Sequence, residues 1–207
     1  TLAVLESEED LALVEGEAKF LRGWVYFELA RLFGLPYEPG VQNTQPAVPV
    51  ILTPTVDVED AIEVARNSVE DCYDQAISDL TSARDLLPED NGVYATTYAA
   101  SAVLARLYLQ QGEFEAAATE ASKVIESGLF SLTETPLQAF NFDGASPEAV
   151  FALQNNVASN TSWLTVMYAS LNGMGRGDYD IQPGFLEKFD PADLRGMLQA
   201  DTEESYT

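Results

Sequence analysis

Residues 96–127, TTYAASAVLARLYLQQGEFEAAATEASKVIES, divide at Gly112 into two helical patterns joined by a very short turn. Ala99, Ala102, Val103, Ala105, Leu107 and Leu109 set small and apolar groups along the first. Gly112 stands where the chain needs a residue tolerant of positive φ. Phe114, Ala117, Ala118, Ala121, Val124 and Ile125 recur at helical spacing on the second, which Gly128 ends. Alanine at facing positions lets antiparallel helices approach closely, with Tyr108 and Phe114 expected to fill the gap near the turn.

This hairpin resembles a tetratricopeptide repeat, through Leu104, Ala105, Tyr108, Gly112, Phe114 and Ala117. Ala121 and Val124 depart from that pattern, and the closing proline is absent. Upstream, Ser7 followed by Glu8, Glu9 and Asp10 predicts a helix start favourable to the helix dipole. A helix, or two in line, is expected over 7–33. Phe20, Leu21, Trp24, Val25, Phe27, Leu29 and Leu32 cover most of its circumference, so it should be central and packed on several sides. Gly34 and Pro36 stop it. Residues 35–67 carry Pro36, Pro39, Pro46, Pro49 and Pro54. They read as an irregular excursion, either functional or a packed crossover that covers a helix pair. Ser68 with Asp71 makes a capping box for the helix 68–87, whose apolar face is Val69, Cys72 or Tyr73, Ala76, Ile77, Leu80, Ala83 and Leu87. Helices 16–33 and 68–87 thus read as one repeat whose turn is replaced by the excursion. After Gly128 the character changes: 129–148 is loop-like, 149–154 is a short strand or buried extended run, and 155–182 is rich in Asn, Ser and Gly.

The expected fold is therefore mainly α. Tetratricopeptide-like hairpins (an α/α superhelix) are followed by an irregular, loop-rich part with little strand, in a single domain over 1–207. Residues 7–128 form the scaffold, with 35–67 inserted, and 129–207 the ligand side.

The composition narrows the function. Of 207 residues, 46% are hydrophobic, which gives a folded chain, and 34 Asp and Glu against 10 Lys and Arg leave a formal charge of −24. A surface of that sign repels nucleic acid and anionic lipid and excludes both as direct partners. With no His and one Cys, the commonest general base and metal ligand are missing and no disulfide forms within the chain. Cys72 reads as a small buried hydrophobe. No cofactor is implied. Among 34 acids some pair always meets a glycosidase spacing by chance, and nothing marks Asp178 or Asp180 as catalytic. Asp143, Asp178 and Asp180 lack EF-hand spacing.

Five blocks in order resemble the SusD-like (RagB/SusD) outer-membrane glycan-binding lipoproteins of Bacteroidetes-type bacteria. Glu17, Ala18, Phe20, Leu21 and Arg22 match the family's Glu-Ala-x-Phe-Leu-Arg-Ala run, with Gly23 in place of Ala. Residues 68–89 match the next helix and its Leu-Pro ending, and 99–132 the third block. Glu148, Val150, Phe151, Leu153 and Gln154 match a Glu-x-Ile-Phe-Ser-Leu-Gln step, and Asp193 with Arg195 an Asp-x-Arg step. The resemblance implies a cell-surface binding protein, not an enzyme. It would capture oligosaccharide or another nutrient polymer and deliver it to a SusC-like TonB-dependent outer-membrane porin. Family members begin with a lipid-bearing Cys and continue past the Asp-x-Arg step, so membrane contact is expected only through an anchor outside these residues.

Sugar recognition in water uses aromatic faces against C–H faces, with planar amides and charges for the hydroxyls. The stretch 155–182 supplies those types in Asn156, Asn160, Trp163, Tyr168, Asn172, Arg176 and Tyr179, and Tyr37 is a further candidate at the start of the excursion. Trp163 and Tyr168 serve equally well as anchors of their loop, and Trp24 reads as core. A peptide-binding tetratricopeptide scaffold is the competing reading, and it predicts a ligand in a concave helical groove instead. The acidic, Lys-poor surface also fits a very salty habitat. Thermal unfolding is then expected to move upward as salt rises from low to molar concentration, and a steady fall would exclude the habitat.

Overall fold

The computed structural model describes residues 7–54, 56–57, 63–136, 138–139, 146–153, 167, 178–179 and 182–193. By packing, the chain divides into two units, residues 1–130 and 131–207.

The first unit holds α1 (Glu8–Phe33), α2 (Val69–Leu86), α3 (Thr97–Gln111) and α4 (Phe114–Glu126). Each start has a local cause. Ser7 Oγ accepts the Asp10 N–H at 3.0 Å, with three acids in the first turn of α1. Ser68 Oγ accepts the Asp71 N–H at 3.0 Å while Asp71 Oδ2 accepts the Ser68 N–H at 3.0 Å, a reciprocal capping box. Those bonds from Ser68 hold the Asp71 carboxyl below its ordinary value. Thr96 caps α3, which ends at Gly112 with φ +78°, and α4 starts two residues later. Among the described residues there is no strand, only an isolated antiparallel bridge between Pro46 and Ser68.

Helices adjacent in sequence pack against each other in space. α1 lies antiparallel on α2 and the approach is close because of two glycines. A Cβ on Gly16 would meet Leu87 at 3.0 Å, and one on Gly23 would meet Leu80 Cγ at 2.9 Å and the Ala76 carbonyl oxygen at 3.0 Å. Gly23 stands where alanine is expected because this interface has no room for a methyl group. Around that contact lie Phe20, Phe27, Ala30, Tyr73, Ala76, Leu80 and Ala83, all essentially inaccessible. Asp79, 2% exposed, accepts two bonds from Arg22, at 2.7 Å from Nε and 2.6 Å from Nη2. Arg84 of α2 reaches Glu120 of α4 at 2.6 Å, and Lys123 meets the same carboxylate oxygen at 2.8 Å.

The described part of the excursion is tied to the helices by polar side chains, with Asn43 and Ala47 buried and residues 51–54, 56–57 and 63–66 exposed. Asn43 is fully buried; its amide donates to the Glu38 and Val41 carbonyls and its oxygen accepts the Glu38 N–H at 2.8 Å. The Tyr26 hydroxyl both donates to Ile51 O, at 3.0 Å, and accepts from Ile51 N, at 2.7 Å. The Arg66 guanidinium gathers the carbonyls of Phe33, Pro46 and Ala47. Each clip satisfies backbone groups that a proline-rich segment cannot pair in a ladder.

Four expectations are corrected. α1 is one unbroken helix of 26 residues, but burial follows the seam Gly16–Phe20–Gly23–Phe27–Ala30, with Tyr26 beside it on the crossover. Leu21, Val25 and Leu32 are 50%, 51% and 73% exposed, so the helix is not covered on several sides. Phe114 does not fill the gap at the turn: it is 69% exposed, and Pro39 packs on Gly112 there instead. Of the apolar stripe on α4 only Ala117 is buried, and among the described helices α4 packs chiefly on α3. In the second unit the described part of 149–154 is neither strand nor buried, with Leu153 70% exposed. That unit is pinned instead by Glu148 Oε1, which accepts the Thr133 N–H and Oγ1–H, each at 2.6 Å. Phe185, in a short helical turn at Pro183–Leu186, meets Phe189 edge-on at 5.4 Å.

Gly23→Ala is expected to destabilise the chain by about 1–3 kcal/mol through overpacking, read as a lower urea midpoint at unchanged helicity. Ser68→Ala should cost about 1 kcal/mol near neutral pH. Asp71 titrates below its unfolded value, so its share is present above that value and lost as pH falls through the folded one. The difference between Ser68→Ala and the parent should therefore narrow below about pH 4.

Candidate functional site

Of the residues expected to bind ligand, Tyr37 and Tyr179 are described. Trp163, Tyr168, Asn160, Asn172, Arg176 and Asn156 lie outside the described residues. Tyr179 belongs to the second unit, is 55% exposed, and donates its backbone N–H to the Met167 carbonyl at 3.3 Å.

Tyr37 belongs to the first unit and lines a cleft of about 290 Å³ together with Glu28, Arg31, Leu32, Leu35, Pro36, Tyr73 and Gln110. Four pieces of chain meet there: the last turns of α1, the first residues after it, α2 through Tyr73, and the C-terminal end of α3 through Gln110. Sequence separation hides the grouping, since Tyr73 and Gln110 carry no local mark of a site. Glu28 and Arg31 are one helical turn apart, a spacing that reads only as a surface ion pair.

The cleft is built on aromatic contacts. Tyr73 is 1% exposed and meets Phe27 edge-on at 5.6 Å. Tyr37 lies on Tyr73 with ring centroids 4.8 Å apart and planes tilted by 35°. Burial pushes the Tyr73 hydroxyl up to about 12, with Arg31 acting in the opposite sense, so the group stays a neutral donor through the physiological range. Pro39 rests 3.1 Å from the place a Cβ would take on Gly112, which fixes the start of the excursion against the end of α3. Glu28 is the polar hub. It accepts from Arg31 at 2.6 Å, from Arg106 of α3 at 3.2 Å and from the Trp24 indole N–H at 3.4 Å. Both guanidinium groups also lie over the Phe27 ring, at 5.3 and 5.8 Å. Trp24 is thus half-buried and hydrogen-bonded at the side of this cluster, rather than deep in the core.

This arrangement offers an aromatic ring, exposed leucines, an amide and a matched donor–acceptor pair, without a nucleophile set beside a base. Among the described residues no group of three His, Cys, Asp or Glu side chains is placed to hold a metal ion. Cys72 is buried, with Sγ 3.5 Å from the Val48 carbonyl oxygen, and burial pushes its thiol up, away from reactivity. Among the described residues no helix is long and apolar enough to cross a membrane.

Comparison with known proteins places these helices in context. The profile of the SusD-like family described as "Starch-binding associating with outer membrane" matches residues 2–109, more than half of the chain. A SusD-like protein of Formosa agariphila is 29% identical over 124 residues, which cover 59% of this chain and 22% of that protein. A SusD superfamily protein from Bacteroides thetaiotaomicron superposes with a TM-score of 0.66 at 29% identity, over 76% of this chain and 35% of its own. A SusD-like carbohydrate-binding protein from Bacteroides vulgatus shares the fold, with a TM-score of 0.75 at 22% identity, over 93% of this chain and 41% of its own. The chain therefore spans well under half the length of these relatives.

The raised Tyr73 value generates a test. A hydroxyl that ionises later in the folded chain stabilises it fully below about pH 10, and that share is lost as pH rises through about 12. Between about pH 8 and pH 11 the parent should lose more stability than Tyr73→Phe, measured as urea midpoints at each pH.

Proposed function

Because the chain belongs to the SusD-like family, we propose that it forms the helical scaffold and part of the ligand surface of an outer-membrane protein that captures oligosaccharide. It then hands the cargo to a SusC-like, TonB-dependent porin. The observation that carries this reading is the family match over residues 2–109, which takes in α1, α2 and nearly all of α3. The family binds carbohydrate and performs no catalysis, and the cleft at Tyr37 offers binding groups in keeping with that. The polymer lies along the Asn- and aromatic-rich stretch 155–182, where Trp163, Tyr168 and Tyr179 offer ring faces and Asn160, Asn172 and Arg176 answer the hydroxyls. The protein sits on the outward-facing side of the outer membrane, held by a lipid anchor outside these residues.

Calorimetric titration with starch, laminarin and other soluble polysaccharides, at low and at molar salt, tests the reading. Saturable binding to one glycan class is expected. The double variant Trp163→Ala, Tyr179→Ala should weaken it by about tenfold or more while the circular dichroism spectrum is unchanged. Unchanged affinity in that variant would remove 155–182 from the ligand surface. A folded chain that binds peptides and no glycan would replace the reading by a tetratricopeptide-type protein-binding scaffold.

A further inference from the structure

We propose that the cleft at Tyr37 is a subsite of its own, one that holds a single uncharged pyranose ring; the proposal rests on the carbohydrate-binding reading of the chain.

Size sets the first limit. A cleft of about 290 Å³ stands at the lower end of the range for ligand sites, enough for one ring and too small for a run of several. Its lip is apolar: Leu32 and Leu35 are 73% and 67% exposed beside the Tyr37 ring. The C–H face of a sugar ring laid there removes apolar surface from water on both partners. Its polar side is suited to vicinal hydroxyls, each of which donates one bond and accepts another. The Glu28 carboxylate and Arg31 guanidinium, 2.6 Å apart, offer an acceptor next to donors, and the exposed Gln110 amide offers both in one plane. The geometry is also set in advance. Tyr37 is held on buried Tyr73, and Pro39 is held on Gly112, so little ordering remains for a ligand to impose.

Charge decides which sugar. Glu28 and Arg31 are the charged side chains lining the cleft and they are paired with each other; the neighbouring Arg106 takes the second oxygen of Glu28. A uronate or sulfate ester would have to compete with Glu28 for the Arg31 guanidinium and would lie beside the Glu28 carboxylate. It would also approach a chain whose formal charge is −24. A neutral ring needs neither step.

The test titrates the ¹⁵N-labelled 207-residue chain with maltohexaose, laminarihexaose and hexagalacturonate, at about 0.15 M and about 2 M salt. At least one neutral oligosaccharide should bind, shift the Gln110 side-chain amide resonance, and hold its affinity within about threefold between the two salts. Tyr37→Ala should weaken it by about tenfold and Gln110→Ala by about threefold, whereas Tyr37→Phe, which keeps the ring on Tyr73, should stay close to the parent. Gln110 is exposed on α3, so its variant decides the matter even where Tyr37→Ala perturbs the fold. Neutral binding that leaves the Gln110 amide unmoved and both alanine variants unaffected would overturn the subsite and spare the carbohydrate-binding reading. Preference for hexagalacturonate would overturn the charge argument, and the proposal with it. Failure of the folded chain to bind any glycan would overturn both the subsite and the reading beneath it.

Discussion

Asp79 is almost wholly buried on α2, and both of its carboxylate oxygens are taken by one guanidinium, that of Arg22 on α1. A charge in that position is tolerated only when it is paired and hydrogen-bonded, and a bidentate pair demands a fixed distance and angle between the two helices. Gly16 and Gly23 make that distance attainable by removing side chains where the backbones come closest. Register follows as well: with Arg22 on Asp79, Gly16 falls against Leu87 and Gly34 against Val69. The rest of the first unit is assembled on this pair, since α3 packs on α2 and α4 on α3.

The close approach of α1 and α2 also explains the proline-rich excursion. Residues 34–68 must run from the C-terminal end of one helix to the N-terminal start of the next, both at the same end of the pair. A tight turn would do this with fewer residues. The longer path folds back on the pair and is held by Tyr26, Asn43 and Arg66, whose side chains answer carbonyls and amides that proline-rich backbone leaves open. Its first residues, Leu35, Pro36 and Tyr37, form one wall of the Tyr37 cleft.

The acidic composition acts on a different scale. Cations are scarce, and four of the seven in the first unit are placed at junctions between elements: Arg22 on α2, Arg66 on the crossover, Arg84 at α4, Arg106 at α1. Pairs buried between helices are screened weakly by salt, whereas the excess carboxylates on the surface repel each other most when salt is low.

The four helices, the caps of α1 and α2 and the hairpin at Gly112 were legible in the sequence because each depends on residues within a few positions of one another: Ser7 with Asp10, Ser68 with Asp71, and glycine where φ turns positive. Family membership was legible too, since several short blocks in order are far more specific than any one. Burial was legible only for α2, whose apolar face is a single stripe. On α1 the apolar residues exceed what one neighbour covers, and composition does not say which seam is buried; the glycines at 16 and 23 select it by steric fit. Tyr37 was recognisable as an aromatic residue at the head of a loop. Its cleft was not, because Glu28, Tyr73 and Gln110 are distant in sequence and acquire a common purpose only when α1, α2 and α3 converge. Local hydrogen bonds and periodicity are properties of the chain itself, and the sequence by itself determined those. Which carboxylate meets which guanidinium, and which rings stack, depends on the distance between helices, and only the tertiary structure decided that.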